Sequence, residues 1–183
     1  FNTVQMYRWD RLEYLKILLN DKNNNDITFG FKLVRGAYME KERLTAKSLN
    51  IKSPICESKL ETDVNFDSGL DFVFENLNRI SLVCGSHNEE SVIKIMNIMK
   101  EMNIDNNDQK IWFGQLYGMS DNITYNLADK GYNAFKILPF GSVRNLMPYL
   151  IRRAEENTSV KGQTGRELQL IIKEKRRRYL EKS

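Results

Sequence analysis

The sequence predicts an α/β protein built on a parallel sheet. Short apolar runs alternate with longer amphipathic ones, and each of five apolar runs leads into a helical pattern. Polar and aromatic residues gather at the carboxyl ends of the apolar runs, in "QMY", "RGAY", "GSHN", "QLYGM" and "LPFG". Alternation of this kind implies βαβ units, because parallel strands need a long crossover and a helix is the usual one. Two architectures satisfy the pattern: an open doubly wound sheet, or the later part of a (β/α)8 barrel. Both place ligands at the carboxyl ends of the strands.

The elements follow in order. "FNTVQMY" (1–7) reads as the end of a strand, and "WDRLEYLKILLN" (9–20) as a helix with Leu12, Leu15 and Leu19 on one side. "DKNNND" is a polar loop. "ITFGFKLVRGAY" (27–38) reads as a strand and "MEKERLTAKSLN" (39–50) as a charged helix; after a loop around Pro54, Thr62 is placed to cap a helix over 63–78. The alternation then repeats three times. "ISLVCGSH" (80–87) precedes the helix 88–102, and "KIWFGQL" (110–116) precedes the helix 120–131, whose glycine suits a C-cap. "YNAFKILPF" (132–140) precedes the helix 142–157, and "TGRELQLIIKEKRRRYLEK" (164–182) reads as a last, basic helix.

Composition bounds the function. With 183 residues and 41% hydrophobic content, the chain is long enough for one core. The net charge of +4 is modest and owes much to "KEKRRR" (173–178), which reads as a solvated helix end or a contact for an anionic surface and does not imply nucleic acid. Cys56 and Cys84 do not form a disulfide framework; Cys84, inside an apolar run, reads as a reduced thiol. No apolar run approaches the roughly 20 residues that span a bilayer. The chain starts with Phe1 inside an apparent strand, so a piece of a longer protein is expected.

Residue chemistry narrows this further. In "KLVRGAY" (32–38) a glycine between a basic and an aromatic residue admits close approach of a ligand, or simply makes a tight turn. Neither standard glycine-rich phosphate fingerprint is present. His87 is the one histidine, so zinc is not expected; at a strand end it either meets a ligand phosphate or caps the next helix. Arg152 and Arg153 stand side by side. Helical neighbours point about 100° apart, so two guanidiniums can converge on one small anion, and arginine matches a carboxylate bidentately. A surface pairing with Glu155 or Glu156 is the competing reading.

"KLVRGAYMEKER", "GSHNEES", "WFGQLYGMSD" and "PFGSVRNLMPYLIRRAEEN", in this order and spacing, resemble the proline dehydrogenase family. The resemblance extends from "TVQMYRWDR" to "GQTGREL" and favours the (β/α)8 TIM barrel, of which this chain supplies about the last five βα units. It implies FAD as cofactor, held non-covalently by Gln5, Val34, Arg35, Gly36, Ala37, Ser86, His87 and Glu156. It places Lys32 near the reactive flavin edge as the catalytic basic residue, where many relatives carry arginine. Tyr38, Leu116, Tyr149 and Ile137 are implied to line the substrate pocket, and Arg152 and Arg153 to grip the substrate carboxylate. The implied reaction is oxidation of L-proline to Δ1-pyrroline-5-carboxylate, with a quinone as electron acceptor, at a membrane surface. No metal is implied.

Two departures qualify the match. The family usually carries Lys-Tyr-x-Pro in its last strand, where this chain has "KILP", putting Ile137 in place of the tyrosine. Hydroxyproline-oxidising relatives also lose that tyrosine, so a hydroxyproline dehydrogenase is the alternative, although Ile137 offers a hydroxyl no hydrogen bond. The family's barrel also has three earlier strands that complete the site. Residues 1–160 are therefore expected to form the C-terminal part of the barrel domain and 161–183 a basic C-terminal helix, poorly active and prone to associate when alone. Expected locations are the cytoplasm or the inner-membrane periphery in a bacterium, and the mitochondrion in a eukaryote. A non-catalytic anion- or nucleic-acid-binding module is the reading from another class.

Overall fold

The computed structural model describes residues 1–159 and 163–180. Two compact units appear, Phe1–Ile137 and Leu138–Ser183. The first contains β1 (Asn2–Gln5), α1 (Arg11–Asn20), β2 (Phe29–Val34), α2 (Met39–Ser48), α3 (Lys59–Glu75), β3 (Ile80–Gly85), α4 (Glu89–Glu101), β4 (Ile111–Leu116), α5 (Asp121–Asp129) and β5 (Ala134–Ile137). The second contains α6 (Val143–Ser159) and α7 (Gln163–Leu180). The division expected at 160/161 falls outside the described residues, as does the expected end of the last helix.

The five strands form one parallel sheet in the order β1-β2-β3-β4-β5. That order decides between the two architectures. A doubly wound sheet reverses its strand order at a switch point and carries helices on both faces. A consecutive order with right-handed crossovers places every helix on the same face, as in the wall of a barrel. The core agrees: Val4, Phe31, Leu33, Leu82, Cys84, Ile111 and Phe113 of alternate strand positions join Leu15, Phe66, Leu70, Ile95, Met99 and Leu127 of the helices in one buried cluster. Burial pushes the Cys84 thiol up to about 12, so it stays protonated and inert.

The strands are shorter than the apolar runs. β2 ends at Val34, and Arg35–Tyr38, expected as strand, form the turn into α2. β5 likewise ends at Ile137 instead of running to Phe140. The runs overshoot because residues past a strand's carboxyl end stay apolar or aromatic, which periodicity does not separate from pairing. Thr62 does not cap α3. The helix begins one turn earlier, with Ser58 accepting from the Glu61 N–H at 3.1 Å and Glu61 accepting in return from the Glu57 N–H at 2.8 Å. This is a reciprocal capping box displaced by one residue from its usual form. Thr62 is already helical, and its hydroxyl donates to the Ser58 carbonyl. At the other end of the sheet, Gly131 takes φ 78° just past α5, and its N–H and that of Tyr132 return to Ala128 and Leu127, so the expected glycine C-cap is present.

Candidate active site

Strand register assembles the site. Gln5 pairs with Val34, Lys32 with Thr3 and Val83, Gly85 with Gly114, Gly114 with Phe135, and Leu116 with Ile137. Register partners share a face, so Gln5, Lys32, Val34, Leu116 and Ile137 all lie on the face opposite the one that α1, α3, α4 and α5 cover. All five are half-buried. Gly85 and Gly114 sit between them without side chains. A Cβ at Gly85 would meet Val34 Cγ1 at 2.8 Å, and one at Gly114 would meet Phe135 Cζ at 2.9 Å. The Val34 side chain and the Phe135 ring therefore lie over the two glycines, which any side chain there would displace.

The turn after β2 depends on Gly36, whose φ of 133° lies outside the range of ordinary L-residues. Its Cα also faces the Tyr7 ring, where a Cβ would fall 2.5 Å from Cδ1. The end of β1 is bound to this turn and to a neighbouring loop: the N–H groups of Met6 and Tyr7 donate to the Val34 and Arg35 carbonyls, and the Cys56 N–H donates to the Tyr7 carbonyl. From α3, Asn65 Nδ2 donates to the Met6 and Arg8 carbonyls at 2.6 and 2.9 Å. Ala37 and Tyr38 are exposed at the rim.

Arg35 points the other way. Its guanidinium donates to Asp63 at 2.6 Å, to Ser91 at 3.0 Å and to Ser86 at 3.4 Å, and lies 4.4 Å from the Phe66 ring centroid. Burial alone would raise the Asp63 carboxyl, but hydrogen bonds from Lys59 and Arg35 outweigh it and hold the group below the usual carboxylate range. Arg35 thus ties the end of β2 to α3 and to the first turn of α4. Within the "RGAY" turn it is the backbone that stays near the sheet's carboxyl edge.

Ser86 is buried at the end of β3, and its Oγ accepts from the Asn88 N–H at 3.1 Å. Asn88 is the residue that caps α4, accepting from the Ser91 N–H. His87, for which capping was one expected role, does not perform it. Its Nδ1 lies 3.0 Å from Ser120 Oγ, on the loop after β4. Lys136, pointing to the helix face of β5, donates to the Met119 carbonyl and pairs with Asp121, both at 2.6 Å, holding the same loop.

In the second unit, Tyr149, Arg152, Arg153 and Glu156 follow the i, i+3, i+4, i+7 spacing of a single helix face on α6. Tyr149, Arg152 and Arg153 are half-buried, and Arg153 Cζ stands 5.3 Å from the Tyr149 ring centroid. The side chain of Glu156 lies outside what the structure describes.

Several residues that shape the site escaped sequence reasoning. Asp63, Asn65, Ser120 and Thr124 sit on helices or loops with nothing in their local pattern to distinguish them. Gln115 carried a signal: it is a polar residue at a helix-facing position of an apolar strand, and it is wholly buried. Such a group must be hydrogen-bonded, and it is, to Ser86 and Thr124.

A family model described as proline dehydrogenase matches residues 1–166. Among curated relatives, hydroxyproline dehydrogenase of Xenopus laevis is 40% identical over 97% of this chain and 39% of its own length. Mitochondrial proline dehydrogenase 1 of Caenorhabditis elegans is 37% identical, and that of Homo sapiens 36%, each over 97% of this chain and 30% of the relative. The chain thus spans well under half the length of the curated relatives it matches. Proline utilization A from Bdellovibrio bacteriovorus, in a structure inactivated by N-propargylglycine, superposes with TM-score 0.79 at 30% identity, over 87% of this chain and 16% of that one. The corresponding protein of Corynebacterium freiburgense, at 20% identity and TM-score 0.70 over 86% of this chain and 17% of that one, shares the fold.

Proposed function

The chain belongs to the proline dehydrogenase family, and we propose that it serves the oxidation of L-proline to Δ1-pyrroline-5-carboxylate with FAD, the first step of proline catabolism. The observation that carries this reading is the shared face. Gln5, Lys32, Val34, Leu116 and Ile137, drawn from four strands, converge on one side of the sheet by register alone.

The residues present suit a flavin dinucleotide. Lys32, Gln5 and His87 offer an ammonium, an amide and an imidazole to carbonyl and phosphate oxygens. When bound, FAD supplies the hydride acceptor. The protein's part is to orient the substrate. By the family resemblance, Arg152 and Arg153 are assigned to the substrate carboxylate, and Tyr38, Leu116, Ile137 and Tyr149 to its ring. Glu156, Ser86 and the Val34–Ala37 backbone are assigned to the cofactor. A quinone is the proposed electron acceptor, a reading supported by the family resemblance. No helix among the described residues is long and apolar enough to cross a membrane.

The test is reduction of the complete, FAD-loaded enzyme under anaerobic conditions, followed at the flavin band near about 450 nm. Bleaching by L-proline and not by trans-4-hydroxyproline is expected. Bleaching by hydroxyproline alone would reverse the substrate assignment, and a purified enzyme that binds no flavin would end both readings. Hydroxyproline stays as the second reading because Ile137 stands where a tyrosine is usual and a relative of that name is 40% identical.

A further inference from the structure

Ser120 stands where a helix-capping serine belongs, yet it does not cap. A serine before a helix ordinarily accepts a hydrogen bond from an amide of the first turn. Ser120 makes no such bond to α5, because its backbone is left-handed, with φ 51° and ψ 45°. Its carbonyl accepts from the Ile123 and Thr124 N–H groups instead. The hydroxyl is directed elsewhere, 3.0 Å from Nδ1 of His87.

A left-handed serine is unfavourable by about 1–2 kcal/mol, and the surroundings hold it there. Gln115, wholly buried, donates from Nε2 to the Ser86 carbonyl at 3.2 Å and accepts at Oε1 from Thr124 Oγ1 at 2.9 Å. The Thr124 hydroxyl also lies 3.4 Å from the Ser120 carbonyl. Nearer the surface, Asn122 donates to Glu89 at 2.9 Å. The residue before His87, the strand beside it and the first turn of α5 are thereby joined through a satisfied buried network, which is stiff for that reason.

We infer that Ser120 is a positioning residue for His87. Its Oγ–H donates to Nδ1, which fixes the imidazole in the Nε2–H tautomer and keeps that N–H as the donor for a carbonyl or phosphate oxygen of the cofactor. The inference rests on the reading of His87 as a cofactor contact. Gln115 and Thr124 act one step further out, by holding Ser120 in the conformation that aims its hydroxyl away from its own helix.

The test uses the complete enzyme with 15N-labelled histidine, and His87→Gln to identify the His87 signals. Nδ1 of the wild type is expected at the shift of an unprotonated acceptor and Nε2 at that of a protonated donor. Ser120→Gly keeps the left-handed backbone at no steric cost, so folding persists. It should move both signals toward the average of two tautomers and weaken FAD binding about fivefold, by the loss of one fixed hydrogen bond. Ser120→Ala, which also lacks the hydroxyl, should shift them in the same direction. Unchanged His87 shifts in both variants, or a protonated Nδ1 in the wild type, would overturn the inference. Shifts that move as expected, with FAD affinity unchanged in both His87→Gln and Ser120→Gly, overturn the cofactor contact and leave the tautomer control standing.

Discussion

Arg35 and Arg153 show how differently two arginines of one proposed site are used. Arg35 lies in the family's "RGAY" motif, yet its charge is spent on Asp63, Ser86 and Ser91. Asp63→Asn should therefore destabilise the protein by about 1 kcal/mol at neutral pH, between the values of exposed and buried pairs. Because the folded Asp63 carboxyl is held below its unfolded value, the stability it contributes is full above the unfolded carboxylate range and is lost as pH falls through the folded value. The difference between wild type and Asp63→Asn in denaturant midpoint should shrink as pH is lowered from neutral toward about 3; a difference that stays constant over that range would exclude the ion pair as its cause. Arg153 lies instead beside the Tyr149 ring on the α6 stripe. Arg153→Ala, made in the complete enzyme, should weaken proline binding by about 30-fold, the loss of one charge-assisted contact of about 2 kcal/mol. FAD content should be unaltered. Proline affinity equal to wild type would remove Arg153 from the substrate site, and Arg152→Ala tests the other half of the pair in the same way.

At the scale of elements, the turn after β2 is the most constrained piece of backbone at the site. Gly36 combines a left-handed φ of 133° with the Tyr7 ring pressed against its Cα. Gly36→Ala meets both obstacles, and about 2 kcal/mol or more of stability should be lost in chemical denaturation. The same change should weaken FAD binding, since the turn carries the backbone assigned to the cofactor; a stable variant with normal FAD affinity would show that the turn relaxes without consequence. α3 begins with its own device, the Ser58–Glu61 box. Ser58→Ala should cost about 1 kcal/mol with no effect on ligands, which separates packing of the helix layer from the chemistry of the opposite face. Both features were partly legible. The glycine of "RGAY" announced a turn, but its conformation depends on Tyr7, a residue on another strand's end. Thr62 looked like a cap because Ser58 and Thr62 are equivalent in residue chemistry, and only the hydrogen-bonding of Glu57 and Glu61 distinguishes them.

At the scale of the molecule, the sheet is a wall with two margins. Among the described residues β1 and β5 each pair with a single strand. Parallel sheets are ordinarily covered and closed, and unpaired edges recruit other chains. The 183-residue chain produced by itself should therefore sediment as species larger than the monomer at micromolar concentration and show little proline oxidation. A monodisperse, active monomer would mean that the edges are satisfied within the chain. At the basic end of α7, Lys175, Arg176, Arg177 and Arg178 are all exposed.

The sequence by itself determined the alternation of strand and helix and, through four motifs, the family; the carboxyl ends of the strands are where it puts the proposed site. These are local properties, set by periodicity and by residue chemistry within a few positions. It left the choice between a barrel wall and a doubly wound sheet to the family resemblance, because both carry the same βαβ alternation; strand order decides it, and order is a relation between segments far apart in the chain. It also left hidden which side Arg35 takes and why Ser120 does not cap. The first follows from strand parity and the Asp63 carboxylate, the second from a left-handed backbone supported by Gln115 and Thr124, and both arise only when distant segments are brought into register.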